Sequence, residues 1–262
     1  MTFSLQRGTQ PMLVSMPHIG TDIPAEVQSA YLPRALDVED TDWHLARLYD
    51  FLPGMGVSVL QPHYSRYLID LNRPPDDAPM YPGASNTELC PTHFFSGDAL
   101  YKPGLQPSQQ DVQRRRSQYW QPYHDALHSE LERIKAQHGF ALLWDAHSIR
   151  SQIPWLFDGK LPDLNIGTAS GAAAAGAICD AAAGNVGEFS HVVNGRFKGG
   201  YITRFYGQPA QHIHALQLEK CQSLYMNEAP PFAYNEALAK QLQPTLQRMV
   251  QSALQACKNL YA

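Results

Sequence analysis

Short apolar runs alternate with longer helical patterns along this 262-residue chain. Apolar runs predict strands over residues 13–16, 57–60, 67–70, 141–145, 190–193 and 215–218. Helical spacing of apolar positions and an alanine-rich stretch predict helices over 42–52, 109–137, 170–183 and 235–260. Asp40 or Thr41 offers an N-cap for the first helix, and Pro53 and Gly54 are expected to end it. Residues 74–104, with prolines over 74–82, are predicted to be mainly loop.

Strands that alternate with long helices predict an α/β fold with a largely parallel or mixed sheet covered on both faces. The nearly continuous apolar run 141–145 is typical of a strand buried on both sides. Neither an internal repeat nor a linker is visible in the sequence. We therefore expect residues 1–262 to form one domain.

Composition excludes several classes of protein. With 44% hydrophobic and 17% charged residues, the chain is neither disordered, fibrous nor a coiled coil. A net charge of -4 gives no basic surface for nucleic acid, and the run 114–116 of three arginines is predicted to be a solvated helix face. The chain shows neither a signal peptide nor a membrane-length apolar run, so we expect no membrane association and a cytoplasmic location. The four cysteines form no C-x-x-C pair, so any metal must be held by histidines and carboxylates.

Four polar side chains follow directly after predicted strands. They are His18, Arg73, His147 and Glu219. One such histidine by itself is more often a hydrogen-bonded core residue than a metal ligand. In α/β sheets, however, ligands bind outside the carboxyl ends of the strands. The shared placement of the four therefore indicates a functional site at one edge of the sheet.

Two pairs of residues on single strands refine this interpretation. Asp145 and His147 point to the same face, as a metal ligand and its orienting carboxylate do, although a structural pair has the same spacing. Gln217 and Glu219 also share a face, and burial would raise the pKa of Glu219. Such a carboxyl suits a general base for a water molecule, while an ion pair with a nearby arginine is the alternative.

Six segments, taken in order, resemble the N-formylglutamate amidohydrolase (N-formylglutamate deformylase) family of histidine degradation. They are SMPHIG (15–20), DTDWH (40–44), SRYLIDLNRP (65–74), LWDAHSIR (143–150), NGRFKGG (194–200) and IHALQLE (213–219). Each segment alone is weak evidence for the family, but their joint occurrence in this order is specific for it. The match runs almost from end to end of the chain.

The resemblance implies a fold, a reaction and a cofactor. The fold is a three-layer α/β/α sandwich like that of zinc carboxypeptidases and phosphorylase/hydrolase-like proteins. The enzyme would convert N-formyl-L-glutamate, a small dicarboxylate, and water to L-glutamate and formate. It would use one divalent cation, zinc by preference, with cobalt, manganese or iron as alternatives.

Site residues also follow from the resemblance. His18 and His147 would hold the cation, Asn72 and Arg73 would bind a substrate carboxylate, and Glu219 would be the base. The related peptidases carry a His-x-x-Glu pair, whereas Thr21 stands three residues after His18. For the third ligand we favour Asp42, with Asp22 and His44 as alternatives.

Further arginines are expected because an Arg fork binds a carboxylate bidentately. The remaining predicted substrate-binding residues are Arg66, Arg150, Arg196 and His214 from the family segments, and Arg204 from between the last two segments. Two other histidine pairs, 124 with 128 and 212 with 214, are weaker metal candidates because neither forms the H-E-x-x-H pattern.

Three other functions remain open at this point. The first is another zinc N-acyl-amino-acid hydrolase, of the succinylglutamate desuccinylase or aspartoacylase type. The second is a metal-free protein that binds small acids. The third, a phosphorylase or nucleosidase, is disfavoured because the chain has no glycine-rich phosphate loop of the G-x-x-x-x-G-K-[ST] type. No feature of the sequence indicates an oligomeric state.

Overall fold

A seven-stranded mixed sheet runs through the computed structural model, which describes residues 1–80 and 86–262. The strands are β1 (Phe3–Gln6), β2 (Met12–Ser15), β3 (Ser58–Pro62), β4 (Ala141–Ile149), β5 (Leu164–Gly167), β6 (His191–Val193) and β7 (Ile213–Cys221). Their order is β1-β3-β2-β4-β7-β5-β6. Only the β1–β3 and β5–β7 pairs are antiparallel. The predicted mixed, largely parallel sheet is confirmed.

Eight α-helices connect and cover these strands in the described part of the chain. They are α1 (Ala25–Gln28), α2 (Leu45–Leu48), α3 (Leu52–Met55), α4 (Gln109–Arg115), α5 (Gln121–His138), α6 (Gly176–Ala183), α7 (Tyr201–Tyr206) and α8 (Glu236–Leu260). A π turn over Arg116–Trp120 joins α4 to α5, and short 3₁₀ helices lie at Pro33–Asp37, Pro209–Gln211 and Gln222–Leu224. The helices predicted over 109–137 and 235–260 are confirmed. Ser108 caps α4 and Asn235 caps α8 with side-chain oxygens.

The helices form two layers on the sheet. Alternate residues of β4 face opposite sides, so that Leu143 packs with α5 and α7 whereas Trp144 packs with α6 and α8. On α8, Leu242 and Leu246 are fully buried against this second face, and each contributes roughly 1.5–3 kcal/mol of hydrophobic stabilisation. The predicted three-layer α/β/α sandwich is therefore confirmed.

Two helix predictions are wrong in part. The range 42–52 holds only α2 and the start of α3, because His44 has a left-handed backbone with φ 61° and no side chain caps α2. Pro53 does not end a helix but lies in the first turn of α3, where its missing N–H costs no hydrogen bond. In the range 170–183 the helix begins at Gly176, after a turn in which Gly171 has φ 92°.

The strand predicted over 67–70 is absent. These residues lie in and just after a turn over 66–68, where the Leu68 N–H donates to Ser65 O, and the Asp70 N–H donates to Leu89 O. Ile69 is buried in the cluster beneath α5, so burial rather than strand pairing explains the apolar run. Strand β4 continues to Ile149, four residues beyond the predicted range 141–145. Strands β1 and β5 had no counterpart in the prediction.

The sequence predicts that the arginine run 114–116 is a solvated helix face, but the run is not wholly solvated. Arg114 is exposed, but Arg115 is buried, and its Nη1 donates to Leu68 O at 3.0 Å and to the Tyr101 hydroxyl at 2.9 Å. That prediction is wrong for Arg115 because helix α4 turns this side chain under the 67–70 turn.

The predicted loop 74–104 and its proline-rich stretch include residues 81–85, which lie outside the described residues. Over the remainder of that range the structure shows only turns and isolated bridges. Among the helices at 1–80 and 86–262, none combines the length and apolarity needed to cross a bilayer. Because one sheet joins strands from both halves of the chain, we propose that residues 1–262 form a single domain.

Candidate metal centre and active site

The three central parallel strands β2, β4 and β7 end side by side, and the predicted site residues meet there. His18 lies three residues beyond β2. His147 and Glu219 are paired in register across β4 and β7. Asp42 reaches the same place from the segment before α2, where its N–H donates to His18 O at 3.0 Å. The parallel sheet thus assembles residues that are far apart in sequence.

His18, Asp42 and His147 form a tight cluster of possible metal ligands. One ligand atom from each lies within 4.8 Å of the others, and all three residues are buried. The two Nδ1 atoms are 3.2 Å apart. Asp42 Oδ2 is 3.3 Å from His147 Nδ1 and 3.8 Å from His18 Nδ1. The Ser148 N–H holds this carboxylate by donating to the same oxygen at 3.0 Å.

The outer nitrogen of each imidazole faces a second carboxylate. His18 Nε2 lies 2.7 Å from Asp70 Oδ1, and His147 Nε2 lies 3.1 Å from Asp145 Oδ1. The Asp70 carboxylate can only accept, so His18 Nε2 carries a hydrogen and the Nδ1 lone pair of His18 faces the cluster. His147 Nε2 also lies 3.1 Å from the Asn72 Nδ2 amide. Partners of this kind commonly orient metal-bound histidines.

The donor set fits a zinc-like cation. Two nitrogens about 2.0–2.1 Å from one tetrahedral zinc lie about 3.4 Å from each other, close to the 3.2 Å between the two Nδ1 atoms. Two imidazoles and a carboxylate also form a common set of three protein ligands in catalytic zinc sites. The alternatives for the third ligand lie elsewhere, since Asp22 is exposed and His44 Nε2 contacts Phe232 O at 2.8 Å.

The cluster stabilises positive charge where a cation would lie. Burial by itself lowers the pKa of His147, but Asp145 and Asp42 raise it to about 10. Burial and the Arg66 guanidinium lower the pKa of His18, so that this imidazole is neutral. Although burial alone would raise the pKa of Asp42, the neighbouring histidines hold it below its ordinary value.

A pocket opens onto this cluster. It encloses about 610 Å³ of empty space, counting the part open to solvent. Besides the three clustered residues, Glu219 lines the pocket. Burial raises the pKa of Glu219 to about 7, although the positive charge of His147 acts in the opposite direction. This carboxyl can therefore take up and release a proton near neutral pH.

Three arginines also line the pocket: Arg66, Arg73 and Arg196. Arg66 is buried, and its Nη2 donates to Asp70 Oδ2 at 2.7 Å. Arg73 is only partly buried, and its Nη2 donates to Thr87 Oγ1 at 2.7 Å. These cations give the pocket the positive lining that an acidic substrate requires.

Three predicted substrate residues do not line this pocket. Arg150 is turned away and donates to Asp40 Oδ1 at 2.7 Å. Arg204 donates to the carbonyls of Gly199 and Met80. His214 lies at the amino end of β7, the opposite end of that strand from Glu219.

Asn72 lines the pocket, but its amide is bonded within the protein. Its Nδ2 lies 3.1 Å from His147 Nε2, and its Oδ1 accepts from the Ile202 N–H at 2.8 Å. The sequence predicts that Asn72 binds a substrate carboxylate, and in the structure its amide lies against His147.

The competing histidine pairs do not form metal sites in the described residues. His124 is buried beneath Trp120 while His128 is exposed, and His212 is exposed whereas His214 is buried. Sequence reasoning gave no role to Asp70, although it stands two residues before Asn72 in a family segment. The signal that could have identified Asp70 is that it is a carboxylate within a family segment that also supplies predicted site residues.

Comparisons with known proteins agree with this geometry. A family model described as N-formylglutamate amidohydrolase matches residues 10–226. An N-formylglutamate deformylase of Pseudomonas putida is 50% identical over 96% of this chain and 95% of its own length. A protein of the same name from Pseudomonas aeruginosa PAO1 is 49% identical over 99% of this chain and 98% of its own length.

Solved structures give the same answer for the fold. A crystal structure of N-formylglutamate amidohydrolase from Ralstonia eutropha JMP134 matches with a TM-score of 0.77 at 24% identity, over 98% of this chain and 97% of that one. A crystal structure of a protein from Agrobacterium tumefaciens matches with a TM-score of 0.70 at 15% identity, over 97% of this chain and 95% of that one. From the extent of the family match and the identity of its relatives, the chain belongs to the N-formylglutamate amidohydrolase family.

Proposed function

We propose that this protein is a metal-dependent amidohydrolase that converts N-formyl-L-glutamate and water to L-glutamate and formate. Its cation, zinc by preference, would be held by His18, Asp42 and His147. The observation that carries the proposal is the convergence of three ligand atoms within 4.8 Å, in a pocket that also contains Glu219. The names of the Pseudomonas relatives support the choice of substrate.

Each residue of the site has a distinct task in this reaction. When bound, the cation would lower the pKa of a water molecule and polarise the formyl oxygen. Glu219 takes the proton of the attacking water and returns it to the nitrogen of the leaving glutamate, which its pKa of about 7 allows. Asp70 and Asp145 hold the imidazoles of His18 and His147 in place through their outer nitrogens.

The arginines orient the substrate. Two carboxylates remain on the glutamate portion while the formyl group reacts. We propose that Arg73 and Arg196 bind them, since both line the pocket. Arg66 contributes positive charge beside the cluster, with Nη1 3.3 Å from His18 Nδ1. Binding by these groups holds the formyl carbon near the attacking water, which reduces the entropic part of the barrier.

Turnover of three N-acyl amino acids tests the proposed substrate. We expect the highest kcat/KM for N-formyl-L-glutamate when the purified protein is assayed against it, N-succinyl-L-glutamate and N-acetyl-L-aspartate. Faster cleavage of either of the other two compounds would identify a different acyl-amino-acid hydrolase. Calorimetric binding of these acids without any turnover would identify a small-acid binding protein instead.

Replacing Arg73 with lysine is expected to raise KM about 10–100-fold with a smaller effect on kcat. Lysine keeps the charge but loses the planar fork, and a hydrogen bond between charged groups contributes about 1.5–3 kcal/mol. Arg204→Lys is the control, since Arg204 also donates to backbone carbonyls but does not line the pocket. Equal KM values in the two variants would remove Arg73 from substrate binding.

A further inference from the structure

One short segment, residues 70–73, contacts both histidines of the proposed metal site from behind. Asp70 lies against His18 Nε2 at 2.7 Å, and Asn72 lies against His147 Nε2 at 3.1 Å. The Asn72 N–H also donates to Asp70 Oδ1 at 2.8 Å, which ties the two side chains together. The position of this backbone therefore sets the orientation of both imidazoles.

The segment and the turn before it do not belong to the sheet, and their carbonyls are bound by side chains instead. A single helical stretch, α4 to α5, supplies three donors for three carbonyls. Arg115 Nη1 donates to Leu68 O at 3.0 Å, His124 Nε2 lies 2.8 Å from Leu71 O, and Trp120 Nε1 donates to Arg73 O at 3.0 Å. We call Arg115, Trp120 and His124 the helix clamp.

The geometry of the helix clamp follows from the π turn. Pro122 has no N–H to continue the α-helical ladder and its ring crowds the preceding turn, so the chain makes one wider turn over Arg116–Trp120. Trp120 is the last residue of that turn. Its indole stacks on the His124 imidazole with ring centroids 3.7 Å apart, which fixes both donors against the segment.

The proton on His124 is placed by its surroundings. Burial lowers the pKa of His124 to about 4, so the ring is neutral and carries one hydrogen. Leu71 O can only accept, which puts that hydrogen on Nε2. The Tyr206 hydroxyl lies 3.0 Å from Nδ1 and 3.2 Å from His124 O, and both of these atoms accept, so its one hydrogen is shared between them. His124 is thus a fixed donor rather than a metal ligand.

We propose that Trp120 and His124, supported by Arg115, are positioning residues that hold segment 70–73, so that Asp70 orients His18 through its hydrogen bond and Asn72 stays packed against His147. The inference rests on the proposed metal site. It assigns a role to a helix face that touches neither the cation site nor the pocket.

Zinc affinity measures this role directly, by competition of each purified variant with a chromophoric chelator. His124→Leu removes a donor behind the site and is expected to weaken zinc binding about 10-fold, the lower end of the loss seen for outer partners of metal ligands. Trp120→Phe keeps an aromatic ring but loses one hydrogen bond, and about a 5-fold loss is expected. His124→Gln restores a donor and should bind more tightly than His124→Leu.

Leu131→Ala is the matched control, because Leu131 is a fully buried residue of the same helix α5 that packs in the same apolar cluster. It should lower the melting temperature without changing zinc affinity. Unchanged affinity in both His124→Leu and Trp120→Phe, or an equal loss in Leu131→Ala, would overturn the inference. If His124→Leu does not fold, Trp120→Phe and His124→Gln decide the matter. A wild-type protein that binds no divalent cation would overturn the proposed metal site and this inference together.

Discussion

Replacement of Glu219 by glutamine is expected to lower kcat for formate release by about 10²–10⁴-fold. The amide has nearly the shape of the carboxyl but cannot accept the proton of the attacking water. Glu219 is not one of the three clustered ligands, so zinc content should stay at the wild-type level. Steady-state kinetics together with metal analysis of the same preparation make the measurement.

Glu228→Gln provides the control for this variant. Glu228 is a half-buried carboxylate on the loop after β7, and it accepts from Ser151 and Ser223 outside the pocket. Its replacement should leave kcat within a few-fold of wild type. Comparable kcat values for Glu219→Gln and the wild type would rule out Glu219 as the base.

Replacement of His147 by alanine is expected to remove the bound cation and reduce formate release to background. His147 supplies one of the two inner nitrogens and lies within 3.3 Å of both other ligand atoms. A site left with one histidine and one carboxylate falls below the three protein ligands usual for a catalytic zinc. Metal content per chain after dialysis, with formate release on the same sample, gives the result.

His214→Gln is the matched control for the loss of the cation that is expected in His147→Ala. His214 is also a buried histidine of the central sheet, but it lies at the amino end of β7, where its Nε2 is 2.8 Å from the Tyr261 hydroxyl. It should retain one cation per chain and most of the activity. Retention of the cation by His147→Ala would show that the ligands are different residues.

The strand ends were predictable from sequence because buried parallel strands have a simple signature. The apolar runs before His18, His147 and Glu219 identified β2, β4 and β7, and the carboxyl ends of parallel strands meet at one edge. Alternation along β4 also placed Asp145 beside His147. For these three strands, local pattern and final position are linked by geometry alone.

The remainder of the site depends on contacts that no local pattern encodes. Asp42 reaches the cluster because His44 has a left-handed backbone and the Ser148 N–H binds the carboxylate. Segment 70–73 was predicted to follow a strand, yet side chains from a helix some fifty residues later hold its carbonyls. The same limitation explains Arg150, whose place in a family segment did not reveal that it donates to Asp40 and does not line the pocket.

Removal and restoration of the cation in the wild-type protein tests the central claim most directly. Formate release from N-formyl-L-glutamate would be followed after a chelator has stripped the protein and again as zinc is added back. The account predicts that activity disappears with the cation and returns in proportion to zinc, reaching its maximum at one ion per chain. Full activity in protein shown to contain no divalent cation would contradict it.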